Sequence, residues 1–175
     1  MESDLNCGGD SIEGLTAGQL EAKRSALESG AATLLGRMLF AFGFFEQGID
    51  FCIVWAYAGQ EMQTLTKRID GWSVDKKIEF LGKLVSEICS PGGDAHLAYV
   101  AWLAKADGIR IIRNQLAHGR WSISANADEV VNYCGIAGSL ERRESRYTLL
   151  GLEKFIQTIE QHQRELHTLR SRFPL

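Results

Sequence analysis

Apolar residues recur along this chain at three- and four-residue spacing in several blocks, the signature of helices that pack through one face. The strongest block spans 31–58, where Leu35, Leu39, Phe42, Ile49, Ile53 and Ala56 share a side. Phe40, Phe44, Phe45, Trp55 and Tyr57 widen the apolar surface beyond one stripe. Such a helix belongs at the centre of a bundle or at a subunit interface. Gly36 and Gly43, seven residues apart, mark a side on which another helix has room to approach. Gly59 is suited to end the helix as a left-handed residue. Upstream, Thr16 and Gln19 spell a capping box flanked by Leu15 and Leu20 as a hydrophobic staple. They start a first helix that runs through Ser29, with continuation past Gly30 left open.

A turn over 71–75 leads to a third helix over 76–89, with Ile78, Leu81, Leu84, Val85 and Ile88 inward. Ser90-Pro-Gly-Gly breaks it, and Asp94 is placed to cap a fourth helix. In that helix Leu97, Val100, Ala101, Ala104, Ile111 and Ile112 keep helical spacing as far as His118, and Gly119 can supply a left-handed stop. The pattern then changes. Trp121-Ser-Ile-Ser alternates, and Val130-Val-Asn-Tyr and Tyr147-Thr-Leu are strand-formers separated by turn residues. A last helix over 151–173 turns Leu152, Phe155, Ile156, Ile159, Leu166 and Leu169 inward. The expected fold is mainly α: an up-and-down bundle of about five helices, with a small β-hairpin or meander inserted before the last one. Residues 1–14 read as a flexible polar tail and 15–175 as a single domain.

At 175 residues with 45% hydrophobic content, the chain has enough material for a real core. The net charge of -3 excludes a general basic coat for nucleic acid, so any such contact is local. Cys7, Cys52, Cys89 and Cys134 are scattered without a C-x-x-C pair, which fits reduced thiols in the cytoplasm better than a disulfide framework. No apolar leader segment is expected from the N-terminal residues. The apolar run from 38 to 58 is interrupted by Glu46, Gln47 and Asp50, which favours a core helix over a membrane span.

Candidate chemistry gathers at the end of the fourth helix, in Ile109-Arg-Ile-Ile-Arg-Asn-Gln-Leu-Ala-His-Gly-Arg-Trp121. Asn114 and His118 are four apart and lie on one side, with Arg113 about 100° round from Asn114 and able to reach over. A titratable imidazole, a permanent cation and a neutral amide suit phosphodiester cleavage in RNA. The histidine moves protons, and the arginine stabilises the charge that builds on phosphorus. The segment has no metal-ligand spacing, so no metal or other cofactor is implied. Glu46 lies on the apolar stripe of its helix, where a carboxylate needs a partner. It reads either as a hydrogen-bonded structural residue or one at a wet helix edge, or as the orienter of a cation on a neighbouring helix such as Arg113. Trp121 is placed either to stack on a base or to anchor the chain reversal, and Arg120 is a further possible substrate contact. His96 reads as structural, His162 and His167, five apart on the last helix, are not spaced as i,i+4 metal ligands, and the mixed charges over 141–146 read as a solvated turn.

Arg113-Asn-Gln-Leu-Ala-His118 resembles the R-x4–6-H motif of the HEPN superfamily, in which a polar residue often follows the arginine and Ala-His-Gly is a common local form. The helix layout over 30–172, and Glu46 on an earlier helix, are similar to the family as well. The resemblance implies a metal-independent endoribonuclease acting as a homodimer, in a toxin–antitoxin or defence setting, held in check by an antitoxin or regulatory protein. It implies a composite site in which Arg113 holds the phosphate, His118 is the acid/base and Asn114 orients one of them, leaving a 2′,3′-cyclic phosphate. The competing expectation is a non-catalytic HEPN-like helical module for dimerisation, nucleotide binding or partner binding.

Overall fold

The computed structural model describes residues 15–135 and 143–175. The expected tail over 1–14, Cys7 and the first two residues of the 141–146 charge cluster lie outside the described residues. Thr16 caps the first helix in both directions: its hydroxyl accepts from the Gln19 amide, and the Gln19 side chain accepts from the Thr16 amide at 2.8 Å. From this cap the chain runs as one helix, α1, over Ala17–Val54. The two helices expected on either side of Gly30 are therefore continuous. A side chain at Gly30 would meet Leu149 of the last helix, so the glycine marks a close approach there and no break.

α1 ends five residues before Gly59. Trp55 caps it, and the chain reverses through a tight turn over Ala56–Gly59 in which Tyr57 and Ala58 adopt φ of 56° and 55° and Gly59 follows at 77°. Consecutive left-handed residues other than glycine cost roughly 1 kcal/mol each. A hydrogen bond from the Tyr57 hydroxyl to Glu87 at 2.9 Å helps hold the turn. A short helix not expected from the sequence, α2 (Met62–Ile69), carries the chain back and packs through Leu65 and Ile69. It is followed by α3 (Val74–Ile88) and α4 (Asp94–His118). Gly93, not Asp94, is the N-cap of α4, and Asp94 occupies its first turn, where a carboxylate suits the helix dipole.

After α4 comes an antiparallel meander of β1 (Arg120–Ser124), β2 (Glu129–Cys134) and β3 (Arg143–Tyr147), in which Trp121 lies opposite Asn132 and Val131 opposite Arg146. Residues 143–146 of the charge cluster thus belong to an edge strand and not to a turn. α5 (Leu149–Arg172) closes the chain, capped by Thr148, whose hydroxyl accepts from the Gly151 amide.

α1 is the axis of the bundle. α5 lies alongside it in parallel, as the Arg37–Glu153 pair and the Gly48–Leu166 contact show. α4 runs the opposite way, with Arg113 near Phe42 and Trp102 near Phe45. Phe42, Phe45, Ile49 and Ile53 of α1 meet Leu81 and Val85 of α3, Tyr99, Trp102 and Leu116 of α4, and Ile156 and Ile159 of α5 in one core. His162 is buried within it. The ring stacks on Trp102 at 4.6 Å, with one nitrogen against the Trp102 carbonyl at 3.0 Å and the other against Glu165 at 3.1 Å.

Two helices carry a second apolar face that the bundle leaves open. In α4 the core takes Tyr99, Trp102, Ala106, Ile109 and Leu116, so Leu97, Val100, Ala101, Ala104, Ile111 and Ile112, whose spacing marked the helix, stand exposed. In α1, Leu39 is exposed together with Phe40, Phe44, Phe51 and Trp55, and no atom approaches the positions that side chains would take at Gly36 and Gly43. Among the described residues, no helix is long and apolar enough to cross a membrane.

Candidate active site at the end of the fourth helix

The last two turns of α4 hold Arg113, Asn114 and His118. Arg113 is half-buried. Its guanidinium carbon lies 4.7 Å from the centre of the Phe42 ring, and its Nη1 donates to Asn114 Oδ1 at 3.0 Å. Its Nε is buried without a hydrogen-bond partner among the described residues. Asn114 therefore orients the arginine. The two line a hollow of about 260 Å³ with Phe42, Glu46, Asp75 and Arg110.

Glu46 borders the same hollow, but its partner is Lys77 of α3 and not Arg113: Nζ donates to Glu46 Oε1 at 2.8 Å and to Asp50 Oδ2 at 3.0 Å. Lys77 is 7% exposed. Burial works to lower its pKa, and the bonds to Glu46 and Asp50 outweigh this and hold it above the ordinary lysine value. Arg110 is likewise committed, to Asp107 and Asp75. Arg113 is thus the cation of this hollow that lacks a carboxylate partner among the described residues.

Lys77 was missed in the sequence although a signal was there. It stands at i−4 from Leu81 on the apolar stripe of α3, as Glu46 stands on that of α1. Opposite charges on two facing apolar stripes call for each other.

His118 is exposed at the last position of α4 and does not line the Arg113 hollow. It falls on a strict heptad series with Leu97, Ala101, Ala104, Gly108, Ile111 and Gln115, the open apolar face of α4. The chain leaves His118 through Gly119, which is extended at φ −74° and ψ 160°, not left-handed as expected. The glycine is needed for space: a side chain there would collide with the amide of Asn132. Asn132, 1% exposed on β2, was also missed, because its part depends on the β1–β2 register. Trp121 donates from its indole nitrogen to the Leu116 carbonyl at 3.1 Å and packs on Tyr147, which makes it an anchor of the reversal. Arg120 is exposed and donates to the Gly135 carbonyl at 2.7 Å.

Arg113, Asn114 and Glu46 thus border a single hollow, and His118 stands apart on the outer face of α4. Among the described residues no group of three or more His, Cys, Asp or Glu is placed to hold a metal ion. The chain matches no model of a known protein family, and searches of curated proteins and of solved structures return no match either.

Proposed function

We propose that this chain is a metal-independent endoribonuclease of the HEPN type, working as a homodimer whose composite site combines Arg113 and His118 of both copies. The observation that carries the reading is the placement of His118. It lies exposed on an uncovered apolar face of α4, within two turns of an arginine whose Nε has no partner in its own protomer. Two copies of α4 packed through that face bring the two histidines together, and the reading requires each Arg113, about 140° round its helix from His118, to reach past that face. Ala101, Ala104 and Gly108 are small enough to let the helices approach closely.

The chemistry follows from the donor set. One His118 accepts the proton of a 2′-hydroxyl as its oxygen attacks the adjacent phosphorus. The other protonates the departing 5′-oxygen, which leaves a 2′,3′-cyclic phosphate. Arg113, oriented by Asn114, donates to the phosphate oxygens that carry the extra charge. An antitoxin or regulatory protein that covers the same face is the partner such an enzyme requires.

The separation of Arg113 from His118 within one protomer also supports a second reading, a non-catalytic helical module that dimerises or binds a nucleotide or partner through α4. One experiment decides between them. RNA is incubated with the protein in EDTA and the new ends are examined for cyclic phosphate. Cleavage that falls at least a hundredfold in both Arg113→Ala and His118→Ala supports the enzyme. Full cleavage by His118→Ala removes the assigned role, and no cleavage by the unaltered dimer leaves the interaction module.

A further inference from the structure

At the far end of the bundle from His118, a groove runs between the C-terminal halves of α1 and α5. It consists of two adjoining hollows of about 540 and 570 Å³ that share His167 and Arg170. One wall is aromatic: Phe44, Phe51 and Trp55 of α1 are 57%, 48% and 51% exposed. Phe51 and Trp55 stand one helical turn apart, ~6 Å along the axis. The other wall is basic, with Arg164, His167 and Arg170 rising along α5 at ~4.5 Å intervals. Arg164 donates to the Gln161 amide oxygen, a neutral acceptor. Neither hollow is lined by Asp or Glu, and among the described residues no carboxylate makes an ion pair with these three side chains. In a chain with 22 acidic and 19 basic side chains, a groove lined by no Asp or Glu side chain is a segregation of charge.

We infer that this groove binds single-stranded RNA, with bases stacked on Phe44, Phe51 and Trp55 and phosphates held by Arg164 and Arg170. The inference rests on the reading that RNA is the substrate, and it places substrate capture away from the cutting residues. An apolar helix docked here would cover the rings but leave the arginines desolvated and unpaired. A polyanion that carries its own flat π-faces satisfies both walls at once. Local capture also answers the net negative charge, which offers no general attraction to RNA.

The test uses a fluorescent oligonucleotide of about a dozen 2′-O-methyl nucleotides, which lacks the attacking hydroxyl and so reports binding apart from cleavage. Fluorescence polarisation with the full chain is expected to show saturable binding, weakened about tenfold by Trp55→Ala or Phe51→Ala. The slope of log affinity against log salt should fall by about 1.4 in Arg164→Gln/Arg170→Gln. Arg164→Gln and Phe44→Ala are both on the surface and keep the test informative should Arg170 variants fold poorly.

His118→Ala is expected to bind like the unaltered protein, so a failure of the cleavage reading and a failure of the groove separate cleanly. Absent binding, or equal binding by all the groove variants, overturns the inference. If the same variants leave oligonucleotide binding intact and instead abolish self-association in sedimentation, the groove is a protein interface and the inference is likewise overturned.

Discussion

Gly119 and the buried Asn132 meet so closely that the side chain of one occupies the space a methyl group on the other would need. The contact fixes where the chain turns from α4 into β1, and therefore where His118 ends up. Gly119→Ala is expected to cost about 2 kcal/mol through overpacking, and so to lower the melting temperature by roughly 4–8 °C. RNA cleavage should fall with it. Asn132→Ala loses a buried amide on its own account but clears the space. The double variant should therefore be more stable than the sum of the two changes predicts, by about 1–2 kcal/mol. Thermal melts of the four proteins check this, and strict additivity would show that the collision is relieved elsewhere.

The Lys77 ammonium, bonded to Glu46 and Asp50, is the ionic tie between α1 and α3 next to the Arg113 hollow. Lys77→Met keeps the length and apolar stem but leaves two carboxylates facing each other. Because each of those is 33% exposed, the loss should be about 2 kcal/mol, below the range for fully buried pairs. Lys77→Arg should retain most of the stability. Urea denaturation distinguishes the two, and equal midpoints for Lys77→Met and the unaltered protein would dismiss the tie.

Lys77 and Asn132 also mark how far the sequence could be read. The capping box of Thr16 and Gln19 was legible because its partners are three residues apart, and the meander because Val130 and Tyr147 alternate between turn residues. α4 was legible as a helix, but which of its faces the bundle buries was not. Leu97, Ala104 and Ile111 repeat as regularly as Tyr99, Trp102, Ile109 and Leu116, and periodicity alone cannot choose between two apolar faces. The choice falls to the neighbours Phe45 and His162, which stack on Trp102 from other helices. The end of α1 at Trp55 was hidden for a similar reason. Tyr57 and Ala58 are not residues that announce a left-handed turn, and the bond from Tyr57 to Glu87 that helps hold it is thirty positions away. At the site, the motif itself was readable, whereas the partner of Glu46 required the packing of α3.

Acid should loosen the contact of α4 with α5. The contact of the His162 ring with Glu165 holds that carboxyl below the ordinary glutamate value of 4.5. A carboxyl with a lowered folded pKa contributes stability that is fully present above its unfolded value and is lost as pH falls through the folded one. The effect therefore lies on the acid side of pH 4.5. Glu165→Gln should be less stable than the unaltered protein at pH 7 and should show a shallower decline towards pH 3. The two curves then converge in acid. Urea midpoints across this range test it, and parallel curves would remove Glu165 from the acid transition.

The open face of α4 gives the sharpest prediction about assembly. Ile111 is 44% exposed in a heptad series that ends on His118, and its side chain adds nothing to the core. Ile111→Glu should leave the fold of the protomer intact, within about 0.5 kcal/mol, as surface changes do. In a dimer packed through α4, the same change buries two like charges near the two-fold axis, which costs several kcal/mol. Sedimentation should then show a shift from dimer to monomer with an unchanged circular dichroism spectrum. Cleavage should be lost with the dimer although Arg113 and His118 are untouched. A variant that stays dimeric and active would place the interface elsewhere, with the aromatic face of α1 next in line. A monomeric variant that still cleaves would show that one copy of Arg113 and His118 suffices.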